Sequence, residues 1–366
     1  MIIKRIELSN FRNYKELSLD FDKGTNIFYG DNAQGKTNIL ESIRLCSNAK
    51  SHRTNKDREL ILFGEEEAHI KLFLEKKFSD YRIDVHLKSN RPKGIAVNGM
   101  PIRKISELLG ILNVVFFSPE DLSLIKRGPS ERRRFLDFEL CQLNPLYTSS
   151  LASYHKALNQ KNHLLKEVAF HPEWMDTLDS WDEQLERYAK DVILHRKNFL
   201  ESLNEVILEI HKNLTSGKEQ LEVLYEPNVL SSEIHTKLKS FRERELKQRI
   251  SLVGPHRDDI CFLINGMDIR KFGSQGQQRT AALSLKLAEI VLIKKQSDEY
   301  PILLLDDVMS ELDSHRQLQL LNHVAHVQTM LTCTGLDDLE SCNFPINKLF
   351  YVNSGEVICK KEQTSV

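Results

Sequence analysis

The amino-acid sequence predicts an α/β fold that both ends of the chain build together, with a helical arm inserted between them. Short apolar runs and alternating patterns typical of strands fill the first 120 residues or so, and they return after about residue 250. Between these regions, apolar residues recur every three or four positions in a charged background, as amphipathic helices require. We therefore expect an N-terminal half of the α/β domain over residues 1–125, the arm over 126–248 and the C-terminal half over 249–366.

A glycine-rich loop between a strand and a helix is the strongest local signal. The apolar run Asn26–Tyr29 leads into a full match to the pattern GxxxxGK[ST]. In such loops, backbone N–H groups surround the phosphates of a nucleotide, the lysine binds the β and γ phosphates, and the hydroxyl binds magnesium. The sequence therefore predicts that ATP and Mg²⁺ bind here, through Gly30, Asp31, Asn32, Ala33, Gln34, Gly35, Lys36, Thr37 and Asn38.

A second apolar strand, Ile302–Leu305, ends in two aspartates. Acidic groups at the carboxyl end of a strand, beside a phosphate loop, lie in the ligand crevice of an α/β sheet. We expect Asp306 to hold the magnesium ion together with Thr37, and Asp307 to be the catalytic group that orients or deprotonates the attacking water. The alternative interpretation is a strand that ends in a helix cap, where aspartates are common.

The segment Ser274–Gln278 precedes a strongly helical stretch. It resembles the signature motif of ABC-type ATPases, in the form Ser-Gln-Gly-Gln-Gln. That resemblance implies an ATP-dependent homodimer, in which the signature of one subunit closes over ATP held by the phosphate loop of its partner. The residues acting in trans would be Ser274, Gln275, Gly276 and Gln277. A plain N-cap and turn at Ser274 is the alternative.

Further stretches complete the pattern, namely Leu8–Tyr14, Arg132–Asp137 and Gly254–Asp259. With the motifs above, their order and spacing mean that the chain resembles the RecF recombination-mediator family essentially end to end. The resemblance implies an ABC-type ATPase head of the P-loop NTPase class. It also implies an ATPase that dimerises on ATP, binds single-stranded and gapped or junction DNA, and helps the RecO and RecR proteins load RecA in DNA repair, replication restart and the SOS response.

The chain departs from the wider ABC pattern at three places. Phe116–Ser118 occupies the position of the usual glutamine loop, and Thr332–Thr334 the position where transporters carry a histidine. Asp307 replaces the usual catalytic glutamate. Because a shorter carboxylate must lie closer to its water, we expect slow ATP hydrolysis that is suited to a switch rather than a motor. With the family resemblance, the expected activity is that of a weak, DNA-stimulated ATPase.

The formal net charge of −1 means that any affinity for DNA must come from local basic clusters. Arginines pair with backbone phosphates and release counterions, so recognition of this kind carries little sequence preference. The alternative is that these charges form solvated helix faces or internal ion pairs. The candidate DNA contacts are Arg53, Arg127, Arg132, Arg133 and Arg134.

Other classes of protein fit the sequence less well. The N-terminus lacks the features of a signal peptide and no stretch approaches about 20 apolar residues, so we expect a cytoplasmic protein without membrane partners. The Ser-Gln-Gly-Gln-Gln form of the signature and the helical block disfavour the nucleotide-binding subunit of a transporter. The helical insertion is far too short for a chromosome-structuring SMC-type protein. No CxxC pair supports a zinc-hook ATPase, and too few residues follow Asp307 for an OLD-type nuclease.

Overall fold

A computed structural model of the chain describes residues 1–121, 124–336 and 345–362. The strands are β1 (Ile2–Phe11), β2 (Tyr14–Asp20), β3 (Thr25–Tyr29), β4 (Glu67–Glu75), β5 (Asp80–Lys88), β6 (Arg91–Val97), β7 (Met100–Pro101), β8 (Val114–Phe117), β9 (Leu221–Glu226), β10 (Asp259–Ile264), β11 (Met267–Asp268), β12 (Ile302–Asp306), β13 (Thr329–Cys333), β14 (Lys348–Asn353) and β15 (Glu356–Glu362). The helices are α1 (Lys36–Asn48), α2 (Pro129–Leu143), α3 (Pro145–Glu167), α4 (Thr177–Leu214), α5 (Ile234–Gln248), α6 (Gln275–Ser297) and α7 (Ser314–Val324).

The chain forms two compact units, of which the first combines Met1–Leu122 with Ala282–Val366. Two six-stranded sheets lie in this unit. One has the order β2-β1-β4-β5-β6-β7 and is antiparallel throughout, whereas the other has the order β15-β14-β3-β13-β12-β8 and is parallel except for β15. The second sheet therefore takes strands from both ends of the chain, as the sequence predicted.

A single large apolar cluster joins the two sheets of the first unit to α1. Fully buried residues reach it from the antiparallel sheet, from α1 and from the parallel sheet, as Ile70, Ile43 and Met330 illustrate. Phe28 on β3 stacks on Phe350 of β14, with ring centroids 5.0 Å apart. Because close packing fixes the strands against each other, the loops at their carboxyl ends are held in place.

The second unit, Ser123–Ala281, contains α2 to α5 and a three-stranded sheet of order β11-β10-β9. Helix α3 packs along α4, and the fully buried Lys161 of α3 lies 2.7 Å from Asp182 of α4 and 2.6 Å from Glu245 of α5. These ion pairs connect three helices through a buried cation, whose charge is balanced by the two carboxylates.

The sheet of the second unit corrects the expectation of a purely helical arm that ends at residue 248. Strand β9 lies within the predicted arm and pairs with β10 along its whole length, from Leu221 opposite Ile264 to Glu226 opposite Asp259. Because of this pairing, residues 249–281 belong to the second unit and not with the C-terminal part of the chain.

Within the three described ranges, the helices are all too short or too polar to cross a bilayer.

Candidate functional site

Two glycines of the phosphate loop are required by close approach of other groups. Gly30 has a φ of +146°, and a Cβ at this position would lie 2.3 Å from the carbonyl oxygen of Val352. Gly35 has a φ of +118°, and its Cβ would lie 2.5 Å from Nδ2 of Asn13 and 2.7 Å from the hydroxyl of Tyr14. Since side chains are excluded at both positions, the backbone of the loop can follow the tight path between β3 and α1.

Lys36, the first residue of α1, directs its ammonium group back into the loop. Its Nζ donates hydrogen bonds to the carbonyl oxygens of Gly30 at 2.5 Å and Asp31 at 2.7 Å. Burial lowers the pKa of Lys36, while the nearby carboxylates of Asp307 and Asp306 act in the opposite direction. The loop therefore holds a cation at the place where the phosphates of a bound nucleotide are expected.

Thr37 and Asp306 meet although they lie on distant parts of the chain. The Thr37 hydroxyl donates to Oδ1 of Asp306 at 2.8 Å, and the same oxygen accepts from the hydroxyl of Thr332 at 2.8 Å. In the parallel sheet, β13 pairs with β3 on one side and with β12 on the other. The phosphate loop after β3 and the aspartates at the end of β12 therefore lie at the same edge of this sheet. Hydroxyl and carboxylate oxygens are ligands that Mg²⁺ prefers, so this pair fits a magnesium site.

Asp307 directly follows β12 and adopts a left-handed backbone with a φ of +53°. Its N–H donates to the hydroxyl of Thr332 at 3.0 Å, so one threonine contacts both aspartates. Burial raises the pKa of Asp307, with smaller contributions from Asp306 and Glu311, while Lys36 lowers it. A carboxyl group whose pKa is raised is a better proton acceptor, as a general base requires.

Several residues that support the phosphate loop were not among the predicted site residues. Asn13 donates from Nδ2 to the carbonyl oxygen of Gln34 at 2.9 Å and accepts from Nδ2 of Asn38 at 2.8 Å. The Tyr14 hydroxyl donates to the carbonyl oxygen of Gly35 at 3.0 Å. Asn13 and Tyr14 end the stretch Leu8–Tyr14 that the sequence singled out, so the signal for them was present.

Two further supports come from the C-terminal part of the chain. The side chain of Gln34 accepts a hydrogen bond from the N–H of Ser354 at 2.6 Å, in the turn between β14 and β15. Thr332 lies on β13 and is buried, with 1% of its surface exposed. The position of Thr332 was noted in the sequence only as a departure from the ABC pattern, and neither contact could be predicted, because both depend on which strands become neighbours.

The position of the usual glutamine loop is occupied by a buried aromatic side chain. Phe116 packs against the ring of His52, with centroids 4.5 Å apart, and against the guanidinium of Arg44, also at 4.5 Å. Burial is the main cause that lowers the pKa of His52 to about 4, so its ring is neutral at pH 7.

Arg53, a candidate DNA contact, donates from Nη1 to Oδ1 of Asn38 at 2.9 Å, which places it beside the start of α1.

The candidate signature forms the start of α6 through a reciprocal pair of hydrogen bonds. The N–H of Gln277 donates to the hydroxyl of Ser274 at 3.1 Å, and the N–H of Ser274 donates to Oε1 of Gln277 at 2.9 Å. This capping box agrees with the alternative interpretation of the segment, a plain N-cap at Ser274. Ser274 and Gln275 are nevertheless exposed, and Gly276 is partly exposed, so the segment remains open to contact from another molecule.

The arginines proposed as DNA contacts differ in exposure. Arg132 is 2% exposed, and its guanidinium pairs with both carboxylate oxygens of Asp259, at 2.6 and 2.8 Å, so its prediction as a DNA contact was wrong. Arg133 is partly exposed and donates to the carbonyl oxygen of Asp258. Arg127 is exposed, and Arg134 is exposed with Glu131 3.3 Å away. The alternative of an internal ion pair therefore holds for Arg132.

A phosphate loop after β3 and an aspartate pair after β12, in one parallel sheet built from both chain ends, define an ATPase head of the ABC type. Residues 2–341 match the family model described as the RecF/RecN/SMC N terminal domain. Two proteins named DNA replication and repair protein RecF, from Lachnoclostridium phytofermentans and Agathobacter rectalis, are each 56% identical over 98% of this chain and 99% of their own. The chain belongs to the RecF family.

Solved structures agree with this assignment. One described as the recombination mediator protein RecF with ATP in the RecFOR pathway is 37% identical, with a TM-score of 0.92 over 98% of both chains. A second, with ATPrS, has a TM-score of 0.90 over 98% of this chain and 97% of its own. The fold is shared with an Smc head domain from Pyrococcus furiosus. That structure is 17% identical and has a TM-score of 0.57 over 98% of this chain and 96% of its own. The predicted fold class and family are thus confirmed.

Thr332 offers a test of how the aspartate pair is positioned. In Thr332→Val, Asp306 loses one hydrogen-bond donor and the N–H of Asp307 loses an acceptor, so we expect ATP hydrolysis to slow by about tenfold or more. Nucleotide binding should persist, because the phosphate loop is unchanged. The control is Thr329→Val on the same strand, whose buried hydroxyl donates only to the Val327 carbonyl. Equal hydrolysis rates in the two variants would contradict this role.

Asp307→Asn should separate activity from stability. Because the pKa of Asp307 is higher in the folded protein than in the unfolded chain, its ionised carboxylate destabilises the fold at pH 7. This destabilisation vanishes below the pKa that Asp307 has in the unfolded chain. We expect the variant to match or exceed the wild-type melting temperature at pH 7, with the difference disappearing on acidification, while hydrolysis falls by at least about 100-fold.

Asp298→Asn is the matched control for that measurement. Its partner Lys77 lowers the pKa of Asp298, so this carboxylate stabilises the fold at pH 7 and the contribution is lost as pH falls through the lowered pKa. At pH 7, Asp298→Asn should therefore lower the melting temperature, whereas Asp307→Asn should not. A clear drop in melting temperature for Asp307→Asn at pH 7 would show that the carboxylate is structural.

Proposed function

We propose that this protein is an ATP-dependent DNA-binding recombination mediator of the cytoplasm. In this role it dimerises on ATP, binds DNA at single-strand gaps or junctions, and helps RecO and RecR load RecA in DNA repair, replication restart and the SOS response. The observation that carries the proposal is the contact of Thr37 with Asp306 beside Lys36, because it joins the two halves of a nucleotide site. Relatives over the full length are named DNA replication and repair proteins, which supports the biological role.

In the proposed mechanism, the backbone of Gly30–Thr37 surrounds the triphosphate of ATP, and Asn38 lies in the first turn of α1, whose N-terminus faces the phosphates. Lys36 exchanges its bonds with loop carbonyls for bonds to phosphate oxygens. Thr37 and Asp306 would hold Mg²⁺, which would neutralise part of the phosphate charge. Thr332 fixes the orientation of Asp306, and Asp307 accepts a proton from the attacking water.

Slow hydrolysis follows from the same geometry. Asp307 has a short side chain, and its left-handed backbone is held by the bond from its N–H to Thr332. The carboxylate therefore has little freedom to approach a water molecule, and DNA binding would have to improve the alignment. We infer a weak, DNA-stimulated ATPase, in which bound ATP maintains an assembly and hydrolysis ends it.

The signature residues Ser274, Gln275, Gly276 and Gln277 are proposed to cap ATP held by a partner protomer. Support comes from the exposure of Ser274 and Gln275 at the start of a 23-residue helix, because the N–H groups and dipole at such an end favour a phosphate. ATP would then connect two protomers, which makes the homodimer dependent on nucleotide.

Mixing two inactive variants tests this composite site. Ser274→Arg blocks the cap and Lys36→Ala disables the loop, so each variant alone should lack ATP-dependent dimerisation and hydrolysis. In a mixed dimer, the intact loop of the first meets the intact signature of the second. We expect mixing to restore a sizeable part of the wild-type rate per dimer, with an ATP-dependent dimer in sedimentation. No recovery on mixing, with each variant still folded, would place the signature in cis and contradict the proposal.

The proposed contacts for DNA phosphates are Arg127, Arg133 and Arg134. The position of Arg53 beside Asn38 favours a role near the nucleotide instead.

The double variant Arg127→Gln/Arg134→Gln should weaken DNA binding to the same extent for every DNA sequence and reduce the slope of log affinity against log salt concentration by about 2. Fluorescence anisotropy with gapped DNA and ATP measures both. Arg187→Gln, an exposed arginine on α4, is the control. An unchanged slope in the double variant would exclude these contacts.

A further inference from the structure

Two histidines and a glutamate lie together on the outward face of the antiparallel sheet, outside the residues assigned to nucleotide. His69 of β4 is directly opposite His86 of β5, and Glu67 lies two positions before His69, hence on the same face. The inward face of these strands carries buried residues such as Ile70 and Val85. Because the core fixes the register, the three polar side chains cannot move apart by a slip of the strands.

The distances among these groups suit a metal ion. Oε2 of Glu67 is 2.8 Å from Nε2 of His86 and 3.9 Å from Nε2 of His69, and ligand atoms of the three residues all lie within 4.8 Å of one another. Tetrahedral zinc, with bonds of about 2.0 to 2.2 Å, holds its ligand atoms about 3.3 to 3.5 Å apart. The observed separations bracket that value, so side-chain shifts of less than about 1 Å are enough.

The surroundings leave room for this adjustment. The imidazole rings are stacked with centroids 4.0 Å apart, and rotation about the Cβ–Cγ bonds, a soft torsion, can turn a nitrogen of each ring towards a shared ion. The residues opposite on the flanking strands β1 and β6 are small, with Ser9 facing His69 and Gly94 facing His86.

We propose that Glu67, His69 and His86 form a binding site for a divalent transition-metal ion, with Zn²⁺ as its best match. Two imidazole nitrogens and one carboxylate oxygen are a ligand set that zinc accepts, and the fourth position is left for water or an added ligand. Lys88 lies 2.9 Å from Oε1 of Glu67, so the other carboxylate oxygen faces the histidines. A bound ion would connect β4 to β5 across the exposed face.

Titration of Zn²⁺ into the full chain, followed by calorimetry in excess Mg²⁺ to saturate oxygen-rich sites, tests the proposal. We expect wild-type protein to bind Zn²⁺ through this cluster, and His69→Gln and His86→Gln each to lower that affinity by at least about tenfold, since even indirect partners of metal ligands contribute this much. The matched control is His235→Gln, because His235 contacts the carboxylate of Glu186 at 3.0 Å but, among the residues that the structure describes, belongs to no group of three metal-binding side chains. This control should leave Zn²⁺ binding unchanged.

Two further readouts separate metal binding from folding. Co²⁺ should give visible absorption typical of nitrogen ligation in the wild type and in His235→Gln, and lose it in His69→Gln and His86→Gln. Zn²⁺ should raise the melting temperature of the wild type but not of these two variants, whose metal-free melting temperatures should match the wild type because both side chains are at the surface. Lys88→Met, which removes a nearby positive charge, should tighten binding. Equal Zn²⁺ affinity in the wild type and both histidine variants would overturn the proposal.

Discussion

Parallel pairing of β3, β13 and β12 is the constraint on which the candidate site depends. The phosphate loop leaves the end of β3, the aspartate pair leaves the end of β12, and β13 lies between them with Thr332 at its carboxyl end. The hydroxyl of this threonine contacts Asp306 and the N–H of Asp307. A residue of the middle strand thus connects the carboxylate proposed to bind metal with the carboxylate proposed to act in catalysis, and the order of the strands matters as much as the motifs.

Charge and burial then tune the groups that this arrangement brings together. Lys36, Asp306 and Asp307 are close enough to influence one another, with burial lowering the pKa of the lysine and raising the pKa of Asp307. Desolvation disfavours each charge, and the opposite charge nearby offsets part of that cost. Lys36 is already held in the loop by its hydrogen bonds to backbone carbonyl oxygens. It can therefore exchange these bonds for bonds to phosphate with little rearrangement of the loop.

Local signals in the sequence were sufficient to locate β3, β12, the phosphate loop and the aspartate pair, since each is a short pattern with a direct physical meaning. Long-range pairing was not accessible in the same way. Strand β9 was assigned to the helical arm because its partner β10 comes after α5, and Arg132 was assigned to DNA because Asp259 is distant in sequence. The histidine and glutamate cluster escaped notice for the same reason, as His69 and His86 meet only through strand register.

The closeness of Gly30 to the carbonyl oxygen of Val352, and the bond from Ser354 to Gln34, have a consequence for biosynthesis. The ribosome makes the loop more than 300 residues before it makes β14 and the turn that follows it. A nascent chain therefore carries its phosphate-binding motif long before the segments that contact this motif exist. The loop should reach its final conformation only after β14 and β15 have been translated, so a product that stops before β14 should bind nucleotide poorly.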